Sequence, residues 1–259
     1  MLVGVNATSP ATFARCDELW ERGDVDYIEL MLDNFVHLDP EMILERLAGR
    51  AVAIHIMSSM FLHKDAAEME SLARTFCRIT DRIDPLYISD HLGLHELEGS
   101  RVPEMIDVDY TDRTLLDRCA AWQDALGRQL YLENYASQDA TEGSQVAFFE
   151  ELERRTGVRV LLDVSNAVIA ELNGGCKASS WVTADVRIDA CHISGFRASD
   201  EDPSLFVDTH DVRIDPRSWE LLDDLVKAGR EPHTLTAERD GPCSMTDWAL
   251  DLDLAATRR

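Results

Sequence analysis

Eight short runs rich in β-branched and other apolar residues alternate with amphipathic helical stretches along the whole sequence. The runs are LVGVNA (2–7), DYIELML (26–32), AVAIHIM (51–57), LYISDHLG (86–93), LYLENY (130–135), VRVLLDVSN (158–166), DACHISGF (189–196) and LTAERDG (235–241). Repeated βα units of this kind pack as a parallel sheet with the helices outside it. Eight units in 259 residues match the size of one (β/α)8 barrel.

An open, doubly wound sheet is the alternative arrangement of the same units. Such sheets usually carry a glycine-rich phosphate-binding turn after the first strand, and the segment GVNATSP has none. No low-complexity segment or Pro/Gly-rich linker divides the chain. We therefore predict a single (β/α)8 TIM-barrel domain over residues 1–259, with 95–113 as an irregular loop at its rim.

Two helical stretches carry clear terminal signals. Ser9 and Pro10 are suited to the N-cap and first position of a helix, and Gly49 is suited to the position just after the end of one. These residues set the predicted boundaries of the first two helices.

The composition argues against several classes of protein. The chain has 49 acidic and 25 basic residues, a formal charge of -24, which would repel a phosphate backbone, so no nucleic-acid partner is expected. The six cysteines form no C-x-x-C pair and are expected to be reduced thiols. The N-terminal segment lacks a basic region, and no apolar run approaches the roughly 18 residues of a membrane span, so we expect a cytoplasmic protein without a membrane partner.

Polar residues gather where the predicted strands end, which is where function lies in this class of barrel. They are His55, Asp90, His91, Glu133, Asp163, Asn166, His192, Asp208, His210, Glu238 and Asp240. Several such carboxylates and imidazoles pointing into one pocket need cations to neutralise them. The sequence therefore predicts a multinuclear metal site at the C-terminal rim.

Strand alternation indicates which side chains point inward, because residues two apart share a face. Glu238 and Asp240 then share one face, and Arg239 takes the other. Asp208 and His210 can bind one ion together. Of the adjacent pair Asp90 and His91, we favour His91 as the ligand, with Asp90 behind it orienting a neighbour.

This pattern leaves nine candidate metal ligands, with Asp90, Asn134 and Arg239 as supporting residues behind them. The candidates are His55, His91, Glu133, Asp163, Asn166, His192, Asp208, His210 and Glu238. Nine ligands are enough for two or three ions, and a nitrogen and oxygen set without thiolate suits iron, manganese or zinc. Met31, Met57 and Met60 are expected to pack against the pocket, because thioethers are soft donors.

Eight segments, in this order, resemble the multinuclear non-heme iron-dependent oxidative enzymes from about residue 2 to 250. They are YIELMLDNF, AIHIMSSMFL, YISDHL, LYLENY, RTGVRVLLDVSNA, CHISGF, DTHD and AERD. The resemblance is greatest to the MbnB branch, which acts in methanobactin biosynthesis. Many members of the wider family have two adjacent asparagines where this chain has DVSNA, and the departure favours methanobactin-like chemistry over carbon excision from a terminal cysteine.

The resemblance implies a cofactor, a substrate and a partner. It implies two or three iron ions, Fe(II) or Fe(III), held by the nine candidate ligands, with O2 as co-substrate. The substrate is then a ribosomally made precursor peptide whose core cysteines become an oxazolone with an adjacent thioamide. An MbnC-like partner protein forms a heterodimer with the enzyme, and Asp240 is the acid/base.

Three other functions share parts of this pattern. A zinc phosphodiesterase of the endonuclease IV type uses similar residues, although Asn166 would replace a histidine there and the charge of -24 argues against DNA. A sugar isomerase of the xylose isomerase type would hold magnesium, which prefers oxygen to the many imidazoles found here. A non-catalytic metal-binding scaffold would show a closed coordination that does not respond to peptide, NO or O2.

Overall fold

The computed structural model describes residues 1–97, 100–137, 144–240 and 244–259. Its elements, in chain order, are β1 (Leu2–Ala7), α1 (Pro10–Arg22), β2 (Tyr27–Met31), a 3-10 turn (Leu32–Asn34), α2 (Pro40–Leu47), β3 (Val52–Ile56), a 3-10 turn (Phe61–His63), α3 (Ala66–Thr80), β4 (Ile88–His91), β5 (Leu94–Leu97), β6 (Ser100–Ile106), α4 (Thr114–Leu126), β7 (Leu130–Glu133), α5 (Ser144–Thr156), β8 (Arg159–Asp163), α6 (Val164–Leu172), α7 (Ser180–Thr183), β9 (Ala190–Ile193), β10 (Phe196–Ala198), β11 (Phe206–Asp208), α8 (Pro216–Lys227), β12 (Thr234–Ala237) and α9 (Met245–Ala256). Among these helices none is long and apolar enough to cross a membrane. Gly241 of the last predicted run and Cys243 lie outside the described residues.

In the described residues, eight strands close into a barrel in the order β1-β2-β3-β4-β7-β8-β9-β12. Each neighbouring pair is parallel, and the barrel closes where Val3 pairs with Leu235. The predicted (β/α)8 barrel is confirmed. Seven predicted runs each contain one barrel strand, and the eighth overlaps β12, which begins one residue earlier at Thr234. The predicted runs are longer than the strands mainly because their polar C-terminal residues already belong to the rim loops.

α1 begins and α2 ends where the sequence predicts. Ser9 caps α1 by accepting a hydrogen bond from the Thr12 backbone N–H, and Pro10 is its first residue. Gly49, just beyond α2, has φ of +76°, a left-handed conformation that residues with a Cβ rarely adopt. These terminal signals therefore predicted one boundary of each helix.

A compact layer of side chains fills the lower half of the barrel, below the rim. It consists of Tyr27, Ala53, Tyr87, Tyr131, Leu161 and Ala190. Gly4 of β1 makes room for this layer, because a Cβ added there would lie 2.4 Å from the Tyr27 ring. These six side chains fill the lower interior of the barrel, and the strand ends that carry the candidate ligands lie above them.

Two antiparallel hairpins rise above the C-terminal rim. One pairs β5 with β6, joining Leu94 to Ile106, and the other pairs β10 with β11, joining Phe196 to Asp208. The sequence-based expectation of an irregular loop over 95–113 is therefore wrong for its first half. Cross-strand backbone pairing orders that segment, although its short strands lack the apolar alternation that would predict them.

Candidate metal centre

Six of the predicted ligands converge at the top of the barrel because each stands at the end of a strand and points inward. They are His55 on β3, His91 on β4, Glu133 on β7, Asp163 on β8, His192 on β9 and Glu238 directly after β12. Register places His91 opposite Glu133 and Asp163 opposite His192 on neighbouring strands. All six are buried except His91, whose side chain is 13% exposed.

Glu133 lies at the centre of this cluster. Its Oε2 atom is 3.6 Å from Nε2 of His55, 3.4 Å from Nε2 of His91 and 3.7 Å from Nδ1 of His192. The same oxygen is buried and has no hydrogen-bond partner among the described residues. A buried carboxylate oxygen facing three ring nitrogens without bonding to any of them has the geometry of a ligand shared between cations.

A second group overlaps the first through Glu133. Ligand atoms of Glu133, Asp163, His192 and Glu238 lie within 4.8 Å of one another, and so do those of His55, His91 and Glu133. The Oε2 atom of Glu238 is 3.2 Å from Nδ1 of His192, and Oδ2 of Asp163 is buried with no partner in the described part of the chain. The two groups can therefore hold two ions that share one carboxylate.

Asp208 and His210 form a third arm, above the others. The Nε2 atom of His210 is 2.6 Å from Oδ2 of Asp208, and Oδ1 of Asp208 accepts a hydrogen bond from Ser194 at 2.7 Å. His210 has φ of 52°, a left-handed conformation that turns its ring toward the barrel axis. The β10–β11 hairpin supplies Asp208, so this arm depends on a loop rather than on a barrel strand.

Asp240, the predicted acid/base, lies beside this third arm. Its Oδ2 atom is 3.0 Å from Nδ1 of His210, and its Oδ1 atom accepts a hydrogen bond from Asn6 at 3.2 Å. The Asp240 side chain is 39% exposed, so part of the carboxylate is open to solvent. It can therefore exchange protons with a molecule above the cluster.

Asn166 adopts an orientation that bears on its predicted role as a ligand. Its amide nitrogen donates to Oε1 of Glu133 at 3.2 Å and to the carbonyl of Asn134 at 3.1 Å. Its backbone N–H donates a hydrogen bond to Oδ1 of Asp163 at 2.7 Å, because Asp163 is the N-cap of α6. As a ligand Asn166 would have to present its amide oxygen, which requires the amide to rotate from this orientation.

The side chains of two predicted supporting residues, Asp90 and Arg239, point away from the barrel axis. Asp90 faces away from the barrel axis, where it accepts hydrogen bonds from Trp122 Nε1 and from the His91 backbone N–H, each at 2.8 Å. Arg239 also faces outward, bonding Asp251 through its guanidinium and Oδ1 of Asn6 through its backbone N–H. Neither side chain bonds a ring nitrogen, so they fix the strand ends rather than the imidazoles.

Burial and crowding shift the protonation of the cluster. Burial lowers the pKa of His91 to about 4 and that of His55 well below its usual range, so both rings are neutral and able to bind a cation. Burial, and then repulsion by Asp208 and Glu238, raises the pKa of Asp163 to about 7. Burial also raises the pKa of Glu133 well above its usual range, with Glu238 and Asp163 adding to the effect. Carboxylates this crowded need cations to stay ionised, so the donor set fits bound metal.

One buried carboxylate in this region was not predicted. Glu29 of β2 lies with His55 and His192 in a third group of possible ligands, and its Oε2 atom is 2.9 Å from Nε2 of His192. The signal in the sequence was a single acidic residue inside the apolar run YIELM, two positions before Met31 on the same face.

A cavity of about 520 Å³ opens directly above the cluster. It is lined by Met31, His55, Met57, His91, Met105, Glu133, Tyr135, Ala136, Asn166, Ile169, Asn173, Phe206, Val207, Asp208, His210 and Glu238. Met31 and Met57 therefore stand at the pocket, as the sequence predicted, while Met60 lies at a neighbouring turn and contacts Arg101. The cavity has one polar wall of candidate ligands and one apolar wall.

The chain matches a known family over nearly its whole length. The family model described as RiPP precursor modification enzyme MbnB/TglH/ChrH covers residues 10–251. A UPF0276 protein of Caulobacter vibrioides is 30% identical over 251 residues, which are 92% of this chain and 88% of that protein. A UPF0276 protein of Rhizorhabdus wittichii is 31% identical over 227 residues, 83% and 80% of the two chains. The chain belongs to the MbnB/TglH/ChrH family of enzymes that modify ribosomally made precursor peptides.

Solved structures similar to this one share its barrel. An L-ribulose 3-epimerase matches with a TM-score of 0.63 at 17% identity, covering 99% of this chain and 93% of that one. Endonuclease IV from Thermus thermophilus matches with a TM-score of 0.58 at 15% identity, covering 100% and 99%. At such low identity these matches show the fold alone.

Proposed function

We propose that this protein is an iron- and O2-dependent enzyme that oxidises a cysteine of a ribosomally made precursor peptide, working with an MbnC-like partner protein. The product is an oxazolone with an adjacent thioamide, as in methanobactin-type copper chelators. In this reaction the peptide loses four hydrogen atoms, and O2 accepts the four electrons and four protons as two molecules of water.

The position of Glu133 carries the proposal. Its Oε2 atom faces three ring nitrogens at 3.4 to 3.7 Å, is buried, and lacks a hydrogen-bond partner in the described residues. A carboxylate shared between two groups of ligands supports a centre of at least two ions. Membership of a family of peptide-modifying enzymes then supports a peptide as the molecule that enters the cavity.

The chain's own residues divide the work between the two walls of the cavity. Iron bound at the centre would supply redox chemistry with O2 and would lower the pKa of a substrate thiol. His55, His91, Glu133, Asp163, His192 and Glu238 would hold it, joined by Asp208, His210 and the rotated amide of Asn166. Met105, Ile169 and Phe206 form the apolar wall, which excludes water from the substrate cysteine.

Asp240 is the proposed base. Its carboxylate stands next to His210 and is partly open to solvent, so it can accept the amide proton that leaves as the oxazolone ring closes. His210 and Asn6 fix both carboxylate oxygens, which holds the accepting atom in one place.

Surfaces beside the cavity support a peptide and a partner. Leu97 of the β5–β6 hairpin is 54% exposed and Val207 of the β10–β11 hairpin is 40% exposed. Val207 also lines the cavity, so an apolar part of the peptide can contact it on entry. The excess of acidic residues favours a partner or leader segment with a basic surface.

The experiment uses protein purified without oxygen, loaded with Fe(II), and combined with its partner and the precursor peptide encoded nearby. After exposure to O2, mass spectrometry should show the loss of four hydrogen atoms from the peptide, mapped to a cysteine and its preceding residue. A peptide with that cysteine changed to serine and a zinc-loaded enzyme serve as controls and should show no change.

Unmodified peptide from a demonstrated, iron-loaded complex would contradict the proposed reaction. Nicking of abasic DNA by the zinc-loaded protein would instead support a phosphodiesterase. A spectroscopic signal from bound iron that does not change when peptide, NO or O2 is added would support a closed storage site.

A further inference from the structure

Glu29 lies beneath the metal centre, on the inner face of β2. Asn6 and Ala53 are its register partners on the neighbouring strands, whereas Met31, two residues further along, is the partner of His55. Glu29 therefore lies one layer deeper in the barrel than the cavity, and it is only 1% exposed. The cavity above the centre is not lined by this residue.

The Glu29 carboxylate is held on one side and bonds a candidate ligand on the other. Its Oε2 atom accepts a hydrogen bond from the Tyr87 hydroxyl and lies 2.9 Å from Nε2 of His192. The Tyr87 oxygen is also 3.0 Å from Oγ1 of Thr236, which lies 2.7 Å from the Tyr27 hydroxyl. Tyr87, directly before β4, and Thr236 of β12 thus fix where Glu29 points.

This contact decides which nitrogen of His192 faces the centre. A carboxylate oxygen only accepts hydrogen bonds, so Nε2 of His192 is protonated and donates the hydrogen bond to Glu29. A metal ion can bind the ring only at a nitrogen that carries no proton, and with Nε2 protonated that nitrogen is the other one. That nitrogen, Nδ1, is the one that lies 3.2 Å from Glu238 and 3.7 Å from Glu133.

We propose that Glu29, held by Tyr87, is a positioning residue that makes His192 a metal ligand through Nδ1. The inference rests on the proposed metal centre, but not on the peptide reaction. A carboxylate behind a ligating imidazole fixes its tautomer and orientation and makes it a stronger donor. Removing such a partner typically weakens metal binding about 10- to 100-fold.

The first test needs no change to the site. In zinc-loaded protein labelled with 15N-histidine, long-range proton–nitrogen NMR should show His192 with a protonated Nε2 and a zinc-bound Nδ1. The His192 signal is assigned by its loss in His192→Asn. Zinc bound to Nε2, which would place the metal on the Glu29 side, would overturn the inference.

The second test compares variants by Co(II) titration against a competing chelator, followed by visible absorbance. Glu29→Gln should bind one ion about 10- to 100-fold more weakly and shift its absorbance. Tyr87→Phe, which keeps Glu29 but frees it, should have a smaller effect in the same direction. Tyr131→Phe is the matched control, because its ring packs 5.8 Å from that of Tyr87 while its hydroxyl contacts Arg159 and Asp189.

The outcomes separate this inference from the proposed function. Variants that bind Co(II) as the original protein does would overturn the role of Glu29 and leave the peptide chemistry untouched. An original protein that binds no metal would contradict both. Circular dichroism of each variant without metal checks that the barrel is folded.

Discussion

The side chain of Asn134 pairs with the backbone of Asp163 as another strand would. Its Oδ1 atom accepts from the Asp163 N–H at 2.7 Å, and its Nδ2 donates to the Asp163 carbonyl at 3.0 Å. Both bonds are buried. The pair extends the β7–β8 ladder one step beyond Glu133, so it sets the position of one proposed ligand against another.

Changing Asn134 to alanine should therefore affect both stability and metal binding. The loss of two buried hydrogen bonds leaves two backbone groups unpaired and should cost about 2–4 kcal/mol in the free energy of unfolding, measured in urea without metal. Asn173→Ala removes the same kind of pair from the hairpin that carries Asp208, so it shows what such a loss costs away from the barrel strands. An Asn134 variant that binds metal as tightly as the original protein would show that the strand pairing does not position the ligands.

Glu133→Gln should lose at least one bound ion. Glutamine keeps the shape of the side chain but removes the charge of the oxygen that faces His55, His91 and His192. Metal content measured by mass spectrometry should fall. The metal-free protein should become more stable at neutral pH, because burial raises the pKa of Glu133 and makes its ionised form costly in the fold, a cost that glutamine does not carry. Glu70→Gln, at a side chain 67% exposed, should change neither quantity.

The stability of the metal-free protein should fall as the pH rises from about 6.5 to about 8. The folded state raises the pKa of Asp163 to about 7 and that of Asp90 to about 8, mainly through burial. An acid with a raised pKa stabilises the fold fully below its unfolded pKa and loses that contribution as the pH passes the folded value. The lowered pKa of His91, about 4, acts in the opposite direction, but only up to its unfolded value of 6.5.

Urea unfolding in a chelator, from about pH 6.5 to about pH 8, measures this effect. Bound metal keeps the carboxylates ionised in the fold, so saturating metal should flatten the pH dependence. A metal-free protein whose stability rises over the same range would contradict the electrostatics described for the cluster.

Asp240→Asn should abolish most peptide turnover and leave the metal content unchanged. Asparagine can replace the hydrogen bond to His210 but cannot accept a proton at neutral pH. Single-turnover mass spectrometry with metal analysis of the same sample separates the two effects. Full turnover with intact iron would show that Asp240 is not the base, and loss of iron would show that it holds His210 instead.

Gly4→Ala should destabilise the barrel through its lower layer of side chains. The new Cβ would lie 2.4 Å from the Tyr27 ring, so the lower layer must shift, at a cost of about 1–3 kcal/mol in the free energy of unfolding. Gly229→Ala, at a helix end with open space and φ of +75°, tests backbone strain alone. A Gly4 variant as stable as the original protein would mean that the Tyr27 ring can move.

The barrel was predictable because its signal repeats. A run of apolar residues such as VAIHI predicts each strand. The alternation of side chains between the two faces of a strand places His55 and Glu133 on the inner face. The outward position of Asp90 followed from the same rule and is seen in its bond to Trp122. Short-range periodicity therefore carried both the fold and the inward-facing residues on the barrel strands.

The remaining features depend on contacts between distant residues. In the sequence, Glu29 is a single acidic residue in an apolar strand. Its contact with His192 of β9, at 2.9 Å, is visible only in the folded structure. The orientation of the Asn166 amide is set by Glu133, which lies 33 positions away. The β5–β6 hairpin forms through backbone pairing that its side chains do not signal.

Diffraction from crystals of the anaerobically Fe(II)-loaded protein, recorded on both sides of the iron absorption edge, shows directly whether Glu133 is shared between two ions. We expect anomalous peaks within bonding distance of Glu133, one shared with His55 and His91 and one shared with Asp163, His192 and Glu238. Iron found away from Glu133, or none at the rim of an otherwise intact barrel, would contradict a shared carboxylate.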